Sequence, residues 1–254
     1  MNVDGRCPVN ATKTSFTLLE TLAADGPLGV TELASRIDTT KGTVHNHLTT
    51  LRSLGYVKQV DGRYDLTLRS LATGERTRDR MQLFRVAKPY LDNLTKTTGE
   101  YAGLYVGEAS CATRVYHATC SDSWSPSSVN GDQVPLHATA AGKAILSSMS
   151  DDRVEDCIRR HGLDRYTDGT ITDSSRLFEQ LRKVRDDRVA YSRGERIEDV
   201  NGVAAPIRGG DTDGRAAICV VGPDEVLHGR HFEEDVTGQV FSTAKKIELD
   251  LRSA

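Results

Sequence analysis

The chain has 254 residues, 37% hydrophobic and 27% charged, an ordinary globular composition that excludes a disordered or collagen-like polymer. Its 33 basic and 36 acidic residues leave a net charge of −3, which predicts no bulk attraction to nucleic acid or membranes. The longest clearly apolar run, residues 216–221, is far short of the roughly 20 residues of a spanning helix, and Met1-Asn2-Val3-Asp4 shows no secretory leader pattern, so a cytoplasmic protein with no membrane partner is expected.

Phe16, Leu18, Leu19, Leu22 and Ala23 recur at helical spacing, and Gly26-Pro27 stops that short helix. A second helix places Leu33, Ala34 and Ile37 on one face, and Asp38-Thr39-Thr40 breaks it while supplying capping hydroxyls. A third spans residues 41–54, with Val44, Leu48 and Leu51 inward and Gly55 as its stop. Tyr56 to Val60, Asp61-Gly62, and Arg63 to Leu66 read as a hairpin around a tight turn. Three helices followed by a hairpin is the order of a winged helix-turn-helix.

The outward face of the third helix carries Gly42, Asn46, Thr49 and Ser53, with His45 alongside and no acid. Asn pairs with adenine edges, and Thr offers thymine a methyl or phosphate a hydroxyl. His47 reads as a core-edge histidine rather than a base reader. From residue 39 to residue 60 there is no Asp or Glu, while Lys41, Arg52 and Lys58 are basic. Residues 1–75 hold 8 basic and 8 acidic groups, so a neutral module concentrates its positive charge on the element expected to enter a major groove. A polar outward face is also what any solvated helix shows.

Residues 75–88 form a charged segment with a thin apolar stripe, read as a linker helix that Pro89 ends or restarts. From Tyr90 onward strands are expected near residues 101–106, 114–117, 202–207 and 215–221. Helices are expected near 139–148, 151–161 and 174–187, and a last one places Val236, Val240, Ala244, Ile247 and Leu251 on one face. Strands in series with helices on their faces predict an α+β domain. Thr139 can cap a helix opening with Ala140, Ala141 and Gly142, whose small side chains either let an anion reach the first N–H groups or permit close helix–sheet packing. Cys7, Cys111, Cys120, Cys157 and Cys219 are odd in number without CxxC spacing, which argues against a disulfide framework or zinc ribbon. Cys111, His117 and Cys120 lie close along the chain, so a thiol- or metal-based redox sensor or enzyme on the same domain is the competing reading.

Several blocks resemble one family in order. Leu28-Gly29-Val30-Thr31-Glu32-Leu33-Ala34, Lys41-Gly42-Thr43-Val44-His45-Asn46-His47-Leu48, Leu54-Gly55-Tyr56-Val57 and Gly62-Arg63-Tyr64 resemble the N-terminal domain of IclR-type transcriptional regulators. Pro135-Leu136-His137-Ala138-Thr139-Ala140-Ala141-Gly142-Lys143-Ala144-Ile145-Leu146, residues 188–195, 203–207 and 215–223 resemble the effector-binding domain of that family. Here Gly42 and Asn46 replace the family's usual Ser and Arg. Ser192 stands where many members have Asp, Gly202 where many have Cys, and Cys219 and Val221 where Ser is frequent.

The resemblance implies a winged helix-turn-helix over 11–72, a linker helix over 73–88 and a GAF-like effector domain with a mainly antiparallel sheet over 89–254. It implies a DNA-binding transcriptional regulator of a catabolic pathway, with no enzyme activity, cofactor or metal. The expected partners are double-stranded DNA with a near-palindromic operator, a small carboxylate-bearing effector, and further copies of the chain in a homodimer or tetramer. Thr40, Lys41, Thr43, His45, Asn46, Thr49, Arg52 and Arg63 are the expected DNA contacts. Ala140, Ala141, Ser192, Val200, Gly202, Cys219 and Val221 are the expected effector contacts.

Overall fold

The computed structural model describes residues 7–108, 111–120, 124–127 and 129–253, so the reading of Met1 to Asp4 falls outside the described residues. The chain divides into two units, Met1–Thr77 and Arg78–Ala254. No helix among the described residues is long and apolar enough to cross a membrane.

The first unit is helix α1 (Asn10–Asp25), α2 (Val30–Arg36), α3 (Lys41–Ser53), then strands β1 (Val57–Val60) and β2 (Arg63–Leu66) paired antiparallel. Leu18, Leu22, Leu33, Val44, Leu48, Leu51, Val57 and Tyr64 form its core. The Glu32 carboxylate accepts the Gly29 N–H at 2.7 Å at the start of α2, and Thr40 Oγ1 accepts the Thr43 N–H at 3.1 Å at the start of α3. Asp61 and Gly62 both have positive φ, as a two-residue hairpin turn requires. Helix α1 is longer than its apolar pattern, because a polar opening at residues 10–14 hides its start. Thr14, Thr17 and Thr21 bond their hydroxyls to the carbonyls four residues back, and Phe16 is exposed rather than in the core.

The expected linker helix is two helices, α4 (Arg69–Asp79) and α5 (Gln82–Thr98). Asp211 accepts the N–H groups of Gln82 at 2.9 Å and Leu83 at 3.4 Å, which starts a fresh helix after Arg80-Met81. Pro89 neither ends nor restarts a helix; it lies inside α5. Leu83, Phe84, Ala87, Leu91 and Leu94 are buried on both sides of it, and that packing outweighs one lost backbone bond.

The second unit is built on β3 (Tyr101–Glu108), β4 (Cys111–Ala118), β5 (Gln133–Pro135), β6 (Ala190–Arg193), β7 (Val200–Ile207) and β8 (Ala216–Pro223). They form one antiparallel sheet in the order β5-β4-β3-β8-β7-β6. The other helices are α6 (Ala140–Ser147), α7 (Asp151–His161), α8 (Ser174–Asp187) and α9 (Thr237–Ser253). The pleat sorts the side chains. Ala102, Leu104, Val106, Ile218 and Val220 face the core shared with α5 and α9, while Tyr105, Ala217 and Cys219 face the core shared with α6 and α8. Strands covered on both faces read as unbroken apolar runs, which is why β3 and β8 were legible. The short β5 and β6, and the π-helical turn at His231–Val236, are not signalled by periodicity.

Candidate functional site

The side chains expected to meet DNA lie on α3 and the hairpin, and most already have work within the unit. Thr40 Oγ1 and Thr43 Oγ1 lie 2.9 Å apart, and Thr49 Oγ1 donates to the His45 carbonyl at 2.8 Å. Arg52 donates to Gln59 Oε1 of the hairpin at 2.7 Å. Arg63 is turned back onto the helices: its Nε donates to the Pro27 carbonyl at 3.0 Å and its Nη2 pairs with Glu32 at 3.1 Å. Arg63 therefore braces the hairpin against α2. Lys41, His45 and Asn46 are exposed on α3. His47 Nδ1 lies 2.8 Å from Ser15 Oγ of α1, the core-edge position expected for it.

The second unit has a cavity holding about 630 Å³ of space, its open mouth included. Ala140, Ala141, Ser192, Val200, Gly202, Cys219 and Val221, expected as effector contacts from four separated blocks, all line it. The start of α6 forms one end. Thr139 Oγ1 donates to the Pro135 carbonyl at 2.9 Å and accepts the Gly142 N–H at 3.1 Å. The N–H groups of Ala140 and Ala141 precede the first intrahelical acceptor and point out of the helix start.

Both readings of Ala-Ala-Gly hold, at different residues. Ala140 and Ala141 are cavity wall, whereas a Cβ on Gly142 would stand 2.4 Å from the Leu136 carbonyl oxygen. Gly142 thus serves close packing of the 135–142 turn. At Gly202 an added Cβ would lie 3.3 Å from Val221 Cγ2, 3.5 Å from the Val220 carbonyl oxygen and 3.6 Å from Ala140 Cβ, so it would be in contact on the cavity wall but without the backbone clash met at Gly142.

Sequence reasoning missed the opposite end. Tyr101, Tyr105, Arg114 and Trp124 line it, and Arg196 and Ile197 stand on the 194–199 loop. Arg114 reaches the cavity through a β-bulge. The register pairs Leu104 with Tyr116 and Tyr105 with Arg114, leaving Val115 as the extra residue. Val115 and Tyr116 therefore both join the α5–α9 core, and Arg114 shares the cavity face with Tyr105. Simple alternation cannot reveal a one-residue insertion. The available signals were a lone Arg in an apolar strand and the chain's single Trp in a polar loop.

Arg114 Nη1 donates to the Tyr101 hydroxyl at 2.9 Å, and the hydroxyls of Tyr101 and Tyr105 lie 3.3 Å apart. Burial pushes the Tyr101 phenol up to about 12 and raises Tyr105 well above its ordinary value, so both rings stay neutral. At the 194–199 loop, Lys143 Nζ donates to Glu195 Oε1 at 2.5 Å, Glu195 Oε2 at 2.8 Å and Gln180 Oε1 at 2.9 Å. Burial pulls the Lys143 ammonium below its usual pKa, with the Glu195 charge opposing.

Cys111, His117 and Cys120 do not converge. Cys111 Sγ lies 3.6 Å from the Glu108 carbonyl at one end of β4, and Cys120 Sγ donates to the Thr95 carbonyl at 3.3 Å beyond the other end. The His117 ring stacks on Tyr101 with centroids 5.6 Å apart. Among the described residues no three His, Cys, Asp or Glu side chains are grouped to hold a metal. Cys219 is buried, which pushes its thiol up to about 12. At pH 8 only about one in 10,000 of such thiols is ionised, so Ellman's reagent is expected to label the exposed Cys7 in the native protein and Cys219 only after denaturation. Rapid native labelling of Cys219 would favour the redox reading.

Residues 15–61 match the family described as "IclR helix-turn-helix domain", and residues 75–249 match "Bacterial transcriptional regulator IclR C-terminal". The chain is 30% identical over 237 residues to the "Probable HTH-type transcriptional regulator ArcR" of Halobacterium salinarum, covering 88% of this chain and 86% of that one. It is 29% identical to the transcriptional repressor IclR of Escherichia coli over 81% of this chain and 77% of that one. Among solved structures it shares its fold with an IclR homologue from Microbacterium hydrocarbonoxydans complexed with 4-hydroxybenzoate. The TM-score is 0.83 at 22% identity, over 96% of this chain and 100% of that one.

Proposed function

We propose that this chain, which belongs to the IclR family of transcriptional regulators, binds an operator through α3 and is controlled by a small organic acid in the cavity beside α6. Residues 11–72 are the reader, 73–88 the connection and 89–254 the sensor, in a cytoplasmic homodimer or tetramer acting on a catabolic pathway. The observation that carries the reading is the gathering of all seven expected effector contacts around one cavity at a helix N-terminus. The 4-hydroxybenzoate held by the Microbacterium homologue supports an organic acid as the class of effector.

Only a ligand with different affinities for two arrangements of the paired readers can change operator binding. The neutral charge of residues 1–75 supports few phosphate contacts per reader, so two joined readers supply the affinity, and two-fold symmetry supplies the near-palindrome. The test is an electrophoretic shift series on the DNA upstream of the chain's own gene, with and without candidate acids. Failure to retard any fragment at low salt removes the operator reading.

Asn46 is exposed on α3 and can bond an adenine edge in two places. Asn46→Ala is expected to lower discrimination between operator and random DNA by about 1–3 kcal/mol while leaving random-DNA binding unchanged. Competition binding against random DNA measures it, and an unchanged ratio takes Asn46 off the list of readers.

A further inference from the structure

We infer that Arg196 is the gate of this cavity: it rests on the Tyr166 ring at the mouth, admits anions and turns back cations. This rests on the proposal that the cavity is the effector site, and it adds the route of entry and its charge rule.

The loop that carries Arg196 is pinned at both ends and exposed at its tip. Residues 194–199 join β6 to β7. The Gly194 N–H donates to the Val200 carbonyl at 2.9 Å, and the Asp224 N–H donates to the Asp199 carbonyl at 2.8 Å. Gly194 and Asp199 both have positive φ, which turns the chain at each end. Glu195 is buried, whereas Arg196, Ile197 and Glu198 are exposed. Of these three, Arg196 and Ile197 line the cavity and Glu198 does not.

Arg196 has a resting place that needs no carboxylate. Its guanidinium carbon stands 4.0 Å from the centre of the Tyr166 ring. Tyr166 is set in turn by its own segment: its N–H donates to Thr170 Oγ1 at 3.0 Å, and its ring lies 5.9 Å from that of the buried His137. Nearby arginines are paired with acids, Arg193 with Glu233 and Arg165 with Asp168. Among the described residues no acid is paired with Arg196. Stacking uses the flat face of the guanidinium and leaves its N–H edge for an arriving anion.

The charge pattern gives the gate its sign. Residues 76–254 hold 25 basic and 28 acidic groups, a net −3 that opposes anions at long range. Among the described residues no acid lines the cavity, and its charged wall residues are Arg114 and Arg196. Arg114 is 1% exposed, bonded to Tyr101 and paired with Asp132, so an ion in solvent meets Arg196 first. A cation fixed at the mouth of a low-dielectric cleft concentrates anions there and depletes cations.

Trp124 is the chain's single tryptophan and stands in the cavity wall, so its quenching reports what enters, whatever the effector is. The full-length protein is titrated at pH 7 and a constant ionic strength of about 0.1 M with potassium iodide, caesium chloride and acrylamide. Each quenching constant is divided by that of free N-acetyltryptophanamide. The iodide-to-caesium ratio is expected to exceed unity in the wild type. It is expected to fall about twofold in Arg196→Gln and about fourfold in Arg196→Glu, with acrylamide quenching unchanged. Tyr166→Leu removes the ring beneath the cation and is expected to give part of the Arg196→Gln fall, whereas Tyr166→Phe keeps the ring and the wild-type ratio. Arg252→Gln makes the same charge change on α9, which packs on the other face of the sheet, and is expected to leave the ratio alone. An unchanged ratio in Arg196→Glu, an equal fall in Arg252→Gln, or no acrylamide quenching in the wild type overturns the gate. A Tyr166→Leu ratio equal to wild type overturns the role of Tyr166 as its rest. None of these results touches the effector reading, which falls instead if no acid changes operator binding in the shift series.

Discussion

Glu195→Ala is expected to destabilise the second unit by about 3–5 kcal/mol, because it strands a buried ammonium. Lys143 has no exposed side-chain surface, and two of its three hydrogen bonds go to Glu195. Gln180 alone then remains to satisfy it, a neutral acceptor in place of a carboxylate. The replacement Lys143→Met with Glu195→Leu removes both charges and keeps the volume, so the double variant is expected to recover most of the loss. Urea unfolding followed at Trp124, which lies in the second unit, reads these differences without interference from the first. A Glu195→Ala midpoint equal to wild type would show that the ammonium finds water or another acceptor. The consequence reaches ligand binding as well. Thr167 and Thr170 donate to the Gly194 and Glu195 carbonyls at 2.5 and 2.7 Å, so the root of the 194–199 loop is fixed by Glu195 and its backbone together. Arg196 and Ile197 of that loop, and Val200 at the start of β7, line the cavity.

The same residues show what a sequence discloses and what it withholds. Helices α7 and α8 lie where the periodicity of their apolar residues puts them, because each buries one stripe on one surface. The seven cavity-lining residues expected as effector contacts were reachable because a family resemblance aligns separated blocks that the fold then brings to one cavity. Lys143 gave no such signal. It sits in a helix whose eight residues are all buried, and a lysine there reads as the solvent edge of a stripe until its partner 52 positions later is in place. Arg114 was hidden by a bulge, a change of register that only the neighbouring strand defines. The partners of Arg63 were hidden for a related reason: its charge is plain in the sequence, but its pairing with Glu32 and the Pro27 carbonyl depends on how the hairpin folds back. Local composition shows which groups are present; long-range pairing decides which of them are available.

Gly142→Ala is expected to be as damaging as Glu195→Ala, against the direction that helix propensity gives. In a solvated helix the change would stabilise by about 1 kcal/mol. Here the new Cβ would stand 2.4, 2.5 and 2.7 Å from the O, Cα and C of Leu136, all backbone atoms that no rotamer change can move. The turn before α6 must shift, and it carries the Thr139 cap and the Leu136 side chain of the α6–α8 core. Overpacking of this kind costs about 3 kcal/mol or more, which outweighs the propensity gain. Gly202→Ala is the control, since its Cβ would meet Val221 Cγ2 at 3.3 Å and Ala140 Cβ at 3.6 Å, at the cavity floor. That variant is expected to keep its unfolding midpoint within about 1 kcal/mol of wild type, because its tightest contact is the end of a side chain that can shift by a few tenths of an ångström. The pair thus separates two glycines of one wall: at 142 the absent side chain lets the backbone close, and at 202 an added methyl meets contacts that can give. Equal midpoints for the two variants would mean that the 135–142 turn adapts, and that α6 is held by its burial rather than by its approach to Leu136.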